Sequence, residues 1–187
     1  MNNEITLKEH NSIYKNRFLE LIEDKVDLHF PDGRIVEDAQ RTLVKKGGAV
    51  VVVAVREDGK IAIVKQSRYG ANNDYIFELP AGVIDDNEDP QTAAIRETNE
   101  EVGYSVKSCE LLFDAFTSPA WTSEYLYLYY IELGEKTEQD LDHDEYVEVH
   151  FYTESELDEL IFSNQIKDFK TIAGYLYAKT ASLLPKK

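Results

Sequence analysis

The stretch GVIDDNEDPQTAAIRETNEEVGY, residues 82–104, is the most informative part of this 187-residue chain. Pro90 suits the first turn of an α-helix, and Asp89 would lie beside the positive end of the helix dipole. Gly103 is a natural left-handed residue at a helix C-terminus. The stretch therefore predicts a helix of about 13 residues that ends at this glycine.

Three glutamates, Glu97, Glu100 and Glu101, follow one another at helical spacing in this stretch. At about 3.6 residues per turn, spacings of three and four place their carboxylates on one face of the helix. Like charges at that spacing repel each other, so the face favours a bound cation. The repulsion costs only a few tenths of a kcal/mol per pair on an exposed helix, so a solvated acidic face is the alternative interpretation.

The spacing of the polar residues favours the bound cation over the solvated acidic face. Five residues separate Gly82 from Glu88, and seven separate Glu88 from the adjacent pair Arg96 and Glu97. Together with the two later glutamates and Gly103, this order resembles the Nudix box, the signature of the Nudix hydrolase family, over all 23 residues. Two usually aliphatic positions of the box differ, and we expect these to affect packing rather than metal chemistry: Thr98 and Tyr104.

Composition predicts a folded, acidic protein. Apolar residues make up 43% of the chain and aromatic residues 11%, and the formal net charge is −16. A charge of this sign argues against nucleic acid as a partner, because nucleic-acid-binding proteins neutralise phosphates with basic patches. The single Cys109 allows no internal disulfide, the N-terminal MNNEITLKEH does not resemble a signal peptide, and no apolar run is long enough to span a membrane. We therefore expect a cytoplasmic protein without a membrane partner.

The order of predicted elements gives the fold class. Residues 17–44 predict two strands joined by a turn at PDGR, residues 31–34, and this hairpin is too small to form a core of its own. Further strands are predicted at residues 47–55, 61–66, 76–82, 109–117, 124–133 and 146–152, and helices after Thr153 and over residues 168–184. We expect an α/β (α+β) fold with a mixed sheet between helices, divided into an N-terminal region (1–44) and a main domain (45–187).

The residue types in the box favour a particular class of metal. Clustered carboxylates are hard oxygen ligands, which suit Mg²⁺, with Mn²⁺ as an alternative, better than Zn²⁺. Such an ion would neutralise a substrate diphosphate that an acidic protein otherwise repels. The chain contains no GxSxG, CxxC or GxxxxGK[ST] motif, which removes the simplest serine hydrolase, redox and P-loop interpretations.

Beyond the box, further segments are similar to the ADP-ribose pyrophosphatase branch of Nudix hydrolases. They are QSR (66–68), ELPAG (78–82), SPAWTSE (118–124) and IKDFKT (166–171), and Pro119 follows Gly103 by 16 residues. The resemblance implies a Nudix α/β/α sandwich that hydrolyses ADP-ribose to AMP and ribose 5-phosphate. It also implies a homodimer, because the N-terminal strands of this branch commonly exchange between subunits.

The resemblance assigns roles position by position. Glu97 and Glu101 would hold the metal with Glu100 assisting, the Ala81 carbonyl would be a further ligand, and Arg96 would orient the glutamates. The matching substrate-side positions are Arg68, Glu78, Trp121 and Glu124. From composition alone, Arg68 is better explained as a solvated cation, and a loop Trp121 as a core plug or an interface anchor.

The general base is expected from an acidic loop well after the box. LDHDEY offers Asp142, Asp144 and Glu145, and an ordinary solvated acid is the alternative for each. We favour Glu145, which directly precedes a predicted strand and so is best placed to reach a water molecule at the metal.

Two departures from the branch pattern leave the substrate open. The chain has KGG (46–48) where a His-Pro-Gly is common, and Ala120 where a glycine often follows the loop proline. Hydrolysis of another nucleoside diphosphate sugar is therefore the nearest alternative. A regulatory module that binds ADP-ribose without cleaving it is disfavoured, because the box keeps every acidic residue and the chain has no basic stripe.

Overall fold

The elements of the chain follow the predicted order closely. The structure is a computed structural model that describes residues 4–72 and 74–185. Its strands are β1 (Glu4–Glu9), β2 (Ser12–Lys15), β3 (Leu19–His29), β4 (Ile35–Lys46), β5 (Gly48–Val55), β6 (Ile61–Ser67), β7 (Tyr75–Glu78), β8 (Ala81–Val83), β9 (Tyr104–Phe116), β10 (Tyr125–Lys136) and β11 (Val147–Tyr152). Its α-helices are α1 (Pro90–Glu97), α2 (Glu154–Phe162) and α3 (Phe169–Thr180).

The chain divides into two units. One comprises the residues up to Gly48 together with Ala115–Tyr125, and the other comprises the rest. In the first unit β3 and β4 form the predicted antiparallel hairpin, paired from Leu19 opposite Lys46 to His29 opposite Ile35. Its turn is closed by a hydrogen bond from the Phe30 N–H to the Arg34 carbonyl. Two strands that the sequence did not predict, β1 and β2, also pair with β3.

The second unit is built on a seven-stranded mixed sheet. The strand order is β11-β6-β5-β10-β9, with β7 on β6 and β8 on β5. The continuous apolar strand β5 contributes buried side chains to both faces of the sheet, as predicted for a strand buried on both sides. Val50, Val52 and Ala54 pack in the core that contains Ala93 and Ala94 of α1. Val51, Val53 and Val55 pack in the core that contains Leu157 of α2 and Tyr175 of α3. Helices therefore cover the sheet on both sides, as an α/β/α sandwich requires.

The helices differ from prediction mainly at one end. Thr153 caps α2 and forms the expected capping box with Glu156. α3 ends at Thr180 rather than running on to Leu184, because Ser182 takes a left-handed conformation with φ of 58°. The Leu183 N–H then returns to the Ala178 carbonyl at 3.0 Å, and the chain leaves the helix axis with Leu184 buried.

Within residues 4–72 and 74–185, no helix combines the length and the apolar character needed to cross a bilayer. Residues 1–3 of the N-terminal MNNEITLKEH segment lie outside the described residues.

Candidate active site

The predicted helix forms over the expected 13 residues, but its first part is α-helical and its last turn is π-helical. The Asp89 side chain accepts hydrogen bonds from the backbone N–H groups of Gln91 and Thr92, and Pro90 follows in the first turn. The α-helical part is 8 residues long, and the next 5, Thr98–Val102, form a π-helical turn. Gly103 closes this turn in the left-handed conformation with φ of 69°. π-Helical turns inside helices frequently occur at functional sites.

The two unusual box residues are accommodated by packing. Thr98 is fully buried, and its hydroxyl donates to the Ala94 carbonyl at 2.7 Å. Tyr104 packs edge-on against Phe151 with ring centroids 5.5 Å apart. The Thr98 hydroxyl is therefore satisfied within the helix, and the Tyr104 ring packs on β11.

Arg96 organises most of these carboxylates. Its Nε and Nη2 groups each donate to one oxygen of Glu88 at 2.9 Å. Nη1 donates to Glu97 at 2.7 Å and to Glu100 at 3.0 Å, and Nη2 also donates to the Val83 carbonyl at 3.0 Å. All five N–H groups of the guanidinium are therefore used. This arrangement fixes the directions of three glutamates from one planar group.

Gly82 gives Glu97 its place. A Cβ atom added to Gly82 would overlap the carboxylate of Glu97. Burial raises the pKa of Glu97, and the hydrogen bond from Arg96 opposes this rise. A side chain at position 82 would therefore displace the carboxylate of Glu97 from its present position beside Arg96.

Glu101 is the most buried acid of the box. It is 4% exposed, and its carboxylate accepts a hydrogen bond from the Ala81 N–H at 3.0 Å. Burial raises the pKa of Glu101 to about 8, and the charges of Glu97 and Glu145 add to the rise. Two neighbouring carboxylates in a buried position favour a cation, which would relieve both burial and repulsion.

The donor set fits a hard divalent cation. Ala81 and Glu101 are in direct contact, and Glu97 and Glu100 share Arg96. In the described part of the chain, no three His, Cys, Asp or Glu side chains already converge as ligands of one ion. The carboxylates instead hydrogen-bond to Arg96 and to the Ala81 N–H, and those oxygens would have to turn toward an ion.

Glu145, in the loop after β10, acts on this cluster through its charge. The charge of Glu145 raises the pKa of both Glu97 and Glu101. Its own N–H donates to the Asp142 carbonyl at 3.0 Å, which closes a tight turn. Asp142, Asp144 and Glu145 are all exposed, and Asp144 lies 3.7 Å from the ring of His143.

Arg68 is not the solvated cation that composition suggested. Its Nε and Nη2 groups donate to the two oxygens of Glu78 at 2.8 and 3.1 Å, and Glu78 is 1% exposed. Lys170 of α3 also hydrogen-bonds to Glu78 and lies 2.9 Å from Asp168. The charge of Arg68 lowers the pKa of Glu101, so this cluster adjoins the box. Lys170 lies in the IKDFKT segment (166–171) that resembles the branch, but its pairing with Glu78 was not predicted, because the two residues are 92 positions apart.

Trp121 and Glu124 belong to the other unit of the chain. Trp121 is 57% exposed, so the core-plug interpretation is wrong. Its carbonyl accepts a hydrogen bond from the Val44 N–H at 2.8 Å. The carboxylate of Glu124 hydrogen-bonds to Lys46, the first residue of the unusual KGG segment. Both residues are therefore joined to the end of β4.

Comparison with known proteins agrees with this geometry. The family model described as NUDIX domain matches residues 45–175. The chain belongs to the Nudix family. It is therefore a Nudix hydrolase, and enzymes of this family act on pyrophosphate bonds and generally use divalent metal ions.

Several relatives of this Nudix hydrolase match over nearly its whole length. It is 35% identical to an ADP-ribose pyrophosphatase of Bacillus subtilis, covering 92% of this chain and 91% of that one. It is 34% identical to a methanol dehydrogenase activator of Bacillus methanolicus (94% and 92% covered) and 30% identical to a GDP-mannose pyrophosphatase of Yersinia enterocolitica (84% and 86% covered). The resemblance to the ADP-ribose pyrophosphatase branch is thereby confirmed.

A solved structure titled as an ADP compounds hydrolase superposes with a TM-score of 0.76 at 18% identity, covering 95% of this chain and 93% of that one. At this level of identity the likeness concerns the fold, and it confirms the predicted Nudix sandwich with its mixed sheet.

Proposed function

We propose that this Nudix hydrolase cleaves the diphosphate of ADP-ribose to AMP and ribose 5-phosphate with Mg²⁺. The main support is the similarity to the Bacillus subtilis ADP-ribose pyrophosphatase over more than nine-tenths of both chains. The box retains every acidic residue, and Arg68 lies beside it as a cation for phosphate.

The box residues have distinct tasks in this proposal. Glu97, Glu100, Glu101 and the Ala81 carbonyl would hold Mg²⁺, or Mn²⁺ as an alternative. The bound ion would neutralise the substrate diphosphate and stabilise charge that develops at phosphorus. Arg96 orients the glutamates through the hydrogen bonds to Glu97 and Glu100.

Four residues are proposed to contact the substrate, and each has its own structural support. Glu78 fixes the guanidinium of Arg68 through its Nε–Nη2 edge, which leaves Nη1 for a phosphate oxygen. The exposed ring of Trp121 is suited to stack on a base or a ribose. Glu124 is the fourth substrate-side residue, and its ion pair with Lys46 sets its orientation.

Glu145 is the proposed general base. Its carboxylate lies close enough to Glu97 and Glu101 to raise the pKa of both, so it can accept a proton from a water molecule beside them. Asp142 and Asp144, in the same loop, are the alternatives.

A substrate panel tests the proposed reaction. Purified protein with Mg²⁺ should release AMP and ribose 5-phosphate from ADP-ribose faster than it cleaves other nucleoside diphosphate sugars, with chromatography of the products as the measurement. Enzyme treated with a chelator is the control and should be inactive. If the protein is inert on the whole panel, the proposed activity is wrong.

GDP-mannose is the most informative competitor in that panel. The relative from Yersinia enterocolitica carries the name GDP-mannose pyrophosphatase, and Lys46 and Ala120 depart from the ADP-ribose pattern. A kcat/KM that is higher for GDP-mannose than for ADP-ribose would support a hydrolase whose preferred substrate is GDP-mannose. Binding of ADP-ribose without cleavage would instead support the regulatory module.

The first unit supports a proposed homodimer. Its strands and the bend between β2 and β3 carry large apolar side chains that are at least 44% exposed, namely Ile5, Leu7, Ile13, Tyr14, Phe18, Ile35 and Val36. A set of this size is typical of a surface that meets another protein. Light scattering should give twice the 21.5 kDa chain mass, and Leu7→Asp should shift the protein toward monomer. A wild-type protein of single-chain mass at micromolar concentration would contradict the dimer.

A further inference from the structure

The segment that follows β10 is attached to the end of the metal-site helix. The Thr137 N–H donates to the Gly103 carbonyl at 2.8 Å, and the Asp140 N–H donates to the Glu100 carbonyl at 3.1 Å. Carbonyls in the last turn of a helix have no partner within the helix, so an outside donor is needed to satisfy them. Residues 137–140 supply these donors to the turn that carries Glu100 and Glu101.

Gln139 adds a side-chain bridge to this attachment. Its Nε2 donates to the Glu101 carbonyl at 2.6 Å and to the Val147 carbonyl at 3.3 Å. A primary amide has two N–H donors, and here each of them has a separate acceptor. One acceptor belongs to the metal-site helix and the other to the first residue of β11. The side chain therefore joins two elements that are far apart in the sequence.

Gly103 makes room for the bridge. A Cβ atom at Gly103 would lie 3.2 Å from the Gln139 nitrogen and 3.3 Å from both the Gln139 Cγ and the Thr137 carbonyl oxygen. Any side chain there would push the segment away, in addition to the strain of a left-handed backbone. The last glycine of the box thus has a second use, the close approach of residues 137–139.

The bridge spans the loop that carries the acidic candidates. Residues 140–146 form a loop that starts where Asp140 hydrogen-bonds to the metal-site helix and ends at Val147, the first residue of β11. The two hydrogen bonds of Gln139 link the ends of this loop. Glu145 lies two residues before the tied end. A displacement of about 1 Å of a catalytic group can lower a rate as much as a hundredfold, so a seven-residue loop needs such a restraint.

We propose that Gln139 is a positioning residue that restrains the loop carrying Glu145 by linking the turn of Glu100 and Glu101 to the start of β11. This inference rests on the proposed function of Glu145 as the base. Gln139 touches neither the substrate nor the reacting atoms, and it acts through the geometry of the loop.

A double-mutant cycle tests the coupling. Gln139→Met keeps the length of the side chain and removes both donors, so kcat should fall about tenfold while KM changes less than about twofold. Glu145→Gln alone should lower kcat about a hundredfold. In the Glu145→Gln enzyme, Gln139→Met should cause no further loss, because the group it positions is already gone.

Gln91→Met is the matched control. Gln91 is in the first turn of α1, and its Nε2 also donates to a backbone carbonyl, that of Cys109 at 3.3 Å. It restrains no part of the acidic loop, so kcat should be unchanged. Equal losses in the Gln91 and Gln139 variants, independent losses in the cycle, or a Glu145→Gln enzyme as fast as wild type would each overturn the proposal.

Hydrogen exchange of metal-free protein tests the restraint without turnover. Gln139→Met should raise exchange of the backbone amides of residues 140–146, including those of Asp140 and Glu145, and leave exchange in α3 unchanged. Unchanged exchange in this loop would overturn the inference even in an active enzyme. A wild type that cleaves no nucleoside diphosphate sugar would refute the proposed function, while the exchange result would still decide whether Gln139 restrains the loop.

Discussion

Replacement of Glu101 by glutamine is expected to abolish turnover of ADP-ribose, with a loss of at least about a thousandfold in kcat/KM, equivalent to about 4 kcal/mol of transition-state stabilisation. Glutamine keeps the size of the side chain but loses the negative charge that a divalent cation requires. The fold should survive, because Glu101 is 4% exposed and burial already raises its pKa to about 8. The raised pKa means that burial disfavours the ionised form of this side chain, so neutral glutamine should leave the melting temperature of the metal-free protein equal or higher.

Glu110→Gln is the control for this result. Glu110 is an exposed glutamate on β9, so the same chemical change there should alter neither kcat/KM nor melting temperature. Steady-state kinetics with Mg²⁺ and calorimetry on both variants make the comparison. A Glu101→Gln enzyme that keeps more than about a tenth of the wild-type rate would show that this glutamate is not a metal ligand, since loss of a ligand charge costs several kcal/mol.

Local signals in the sequence were sufficient for the helix and its ends. Asp89, Pro90 and Gly103 act on their own neighbours, so their residue types define the cap, the first turn and the left-handed stop. The π-helical turn at Thr98–Val102 was not predicted. Residues 137–140 donate hydrogen bonds to the carbonyls of Glu100, Glu101 and Gly103 at this turn, and such contacts from a distant segment leave no local signal in the sequence.

The charge pairs around Glu78 could not be predicted from sequence. Arg68 looked solvated because its partner Glu78 is on another strand, and Lys170 reaches the same carboxylate from a helix 92 residues later. Gln139 lies in a polar loop where nothing marks one amide as different from its neighbours. Such residues are identified by the fold, since each acts through a partner distant in sequence.

In the N-terminal unit, only the strands with a local sequence signal were predicted. The hairpin β3–β4 has a turn signal at residues 31–34, and Gly33 there takes φ of 85°. β1 and β2 have 6 and 4 residues, all exposed, so no buried face produces a pattern that separates them from a loop. Their pairing with β3 depends on tertiary contacts, which the local sequence does not show.

Replacement of Glu78 by glutamine should have the largest effect on stability. The carboxylate is 1% exposed and is hydrogen-bonded to Arg68 and to Lys170. A neutral amide would remove the charge that both cations share. Arg68 is 43% exposed and Lys170 keeps Asp168 at 2.9 Å, so we expect a loss of about 1.5–3 kcal/mol, as for hydrogen bonds to charged groups. Urea unfolding at neutral pH should show a loss of that order. Asp158→Asn removes the partner of Lys179 in a more exposed ion pair, and there we expect a loss below about 1 kcal/mol.

The pH dependence of that loss tests its electrostatic origin. Burial opposes the charge of Glu78, but the hydrogen bond from Arg68 and the charge of Lys170 outweigh it, so the pKa of Glu78 is below its ordinary value of 4.5. A carboxyl group with a lowered folded-state pKa contributes stability that is present above its unfolded pKa and is lost as the pH falls through the folded value. The difference in unfolding free energy between wild type and Glu78→Gln should therefore be full at about pH 7 and shrink below about pH 4.5. A difference that stays constant down to about pH 3 would mean that glutamine disturbs packing instead of removing a charge, since a packing defect does not titrate.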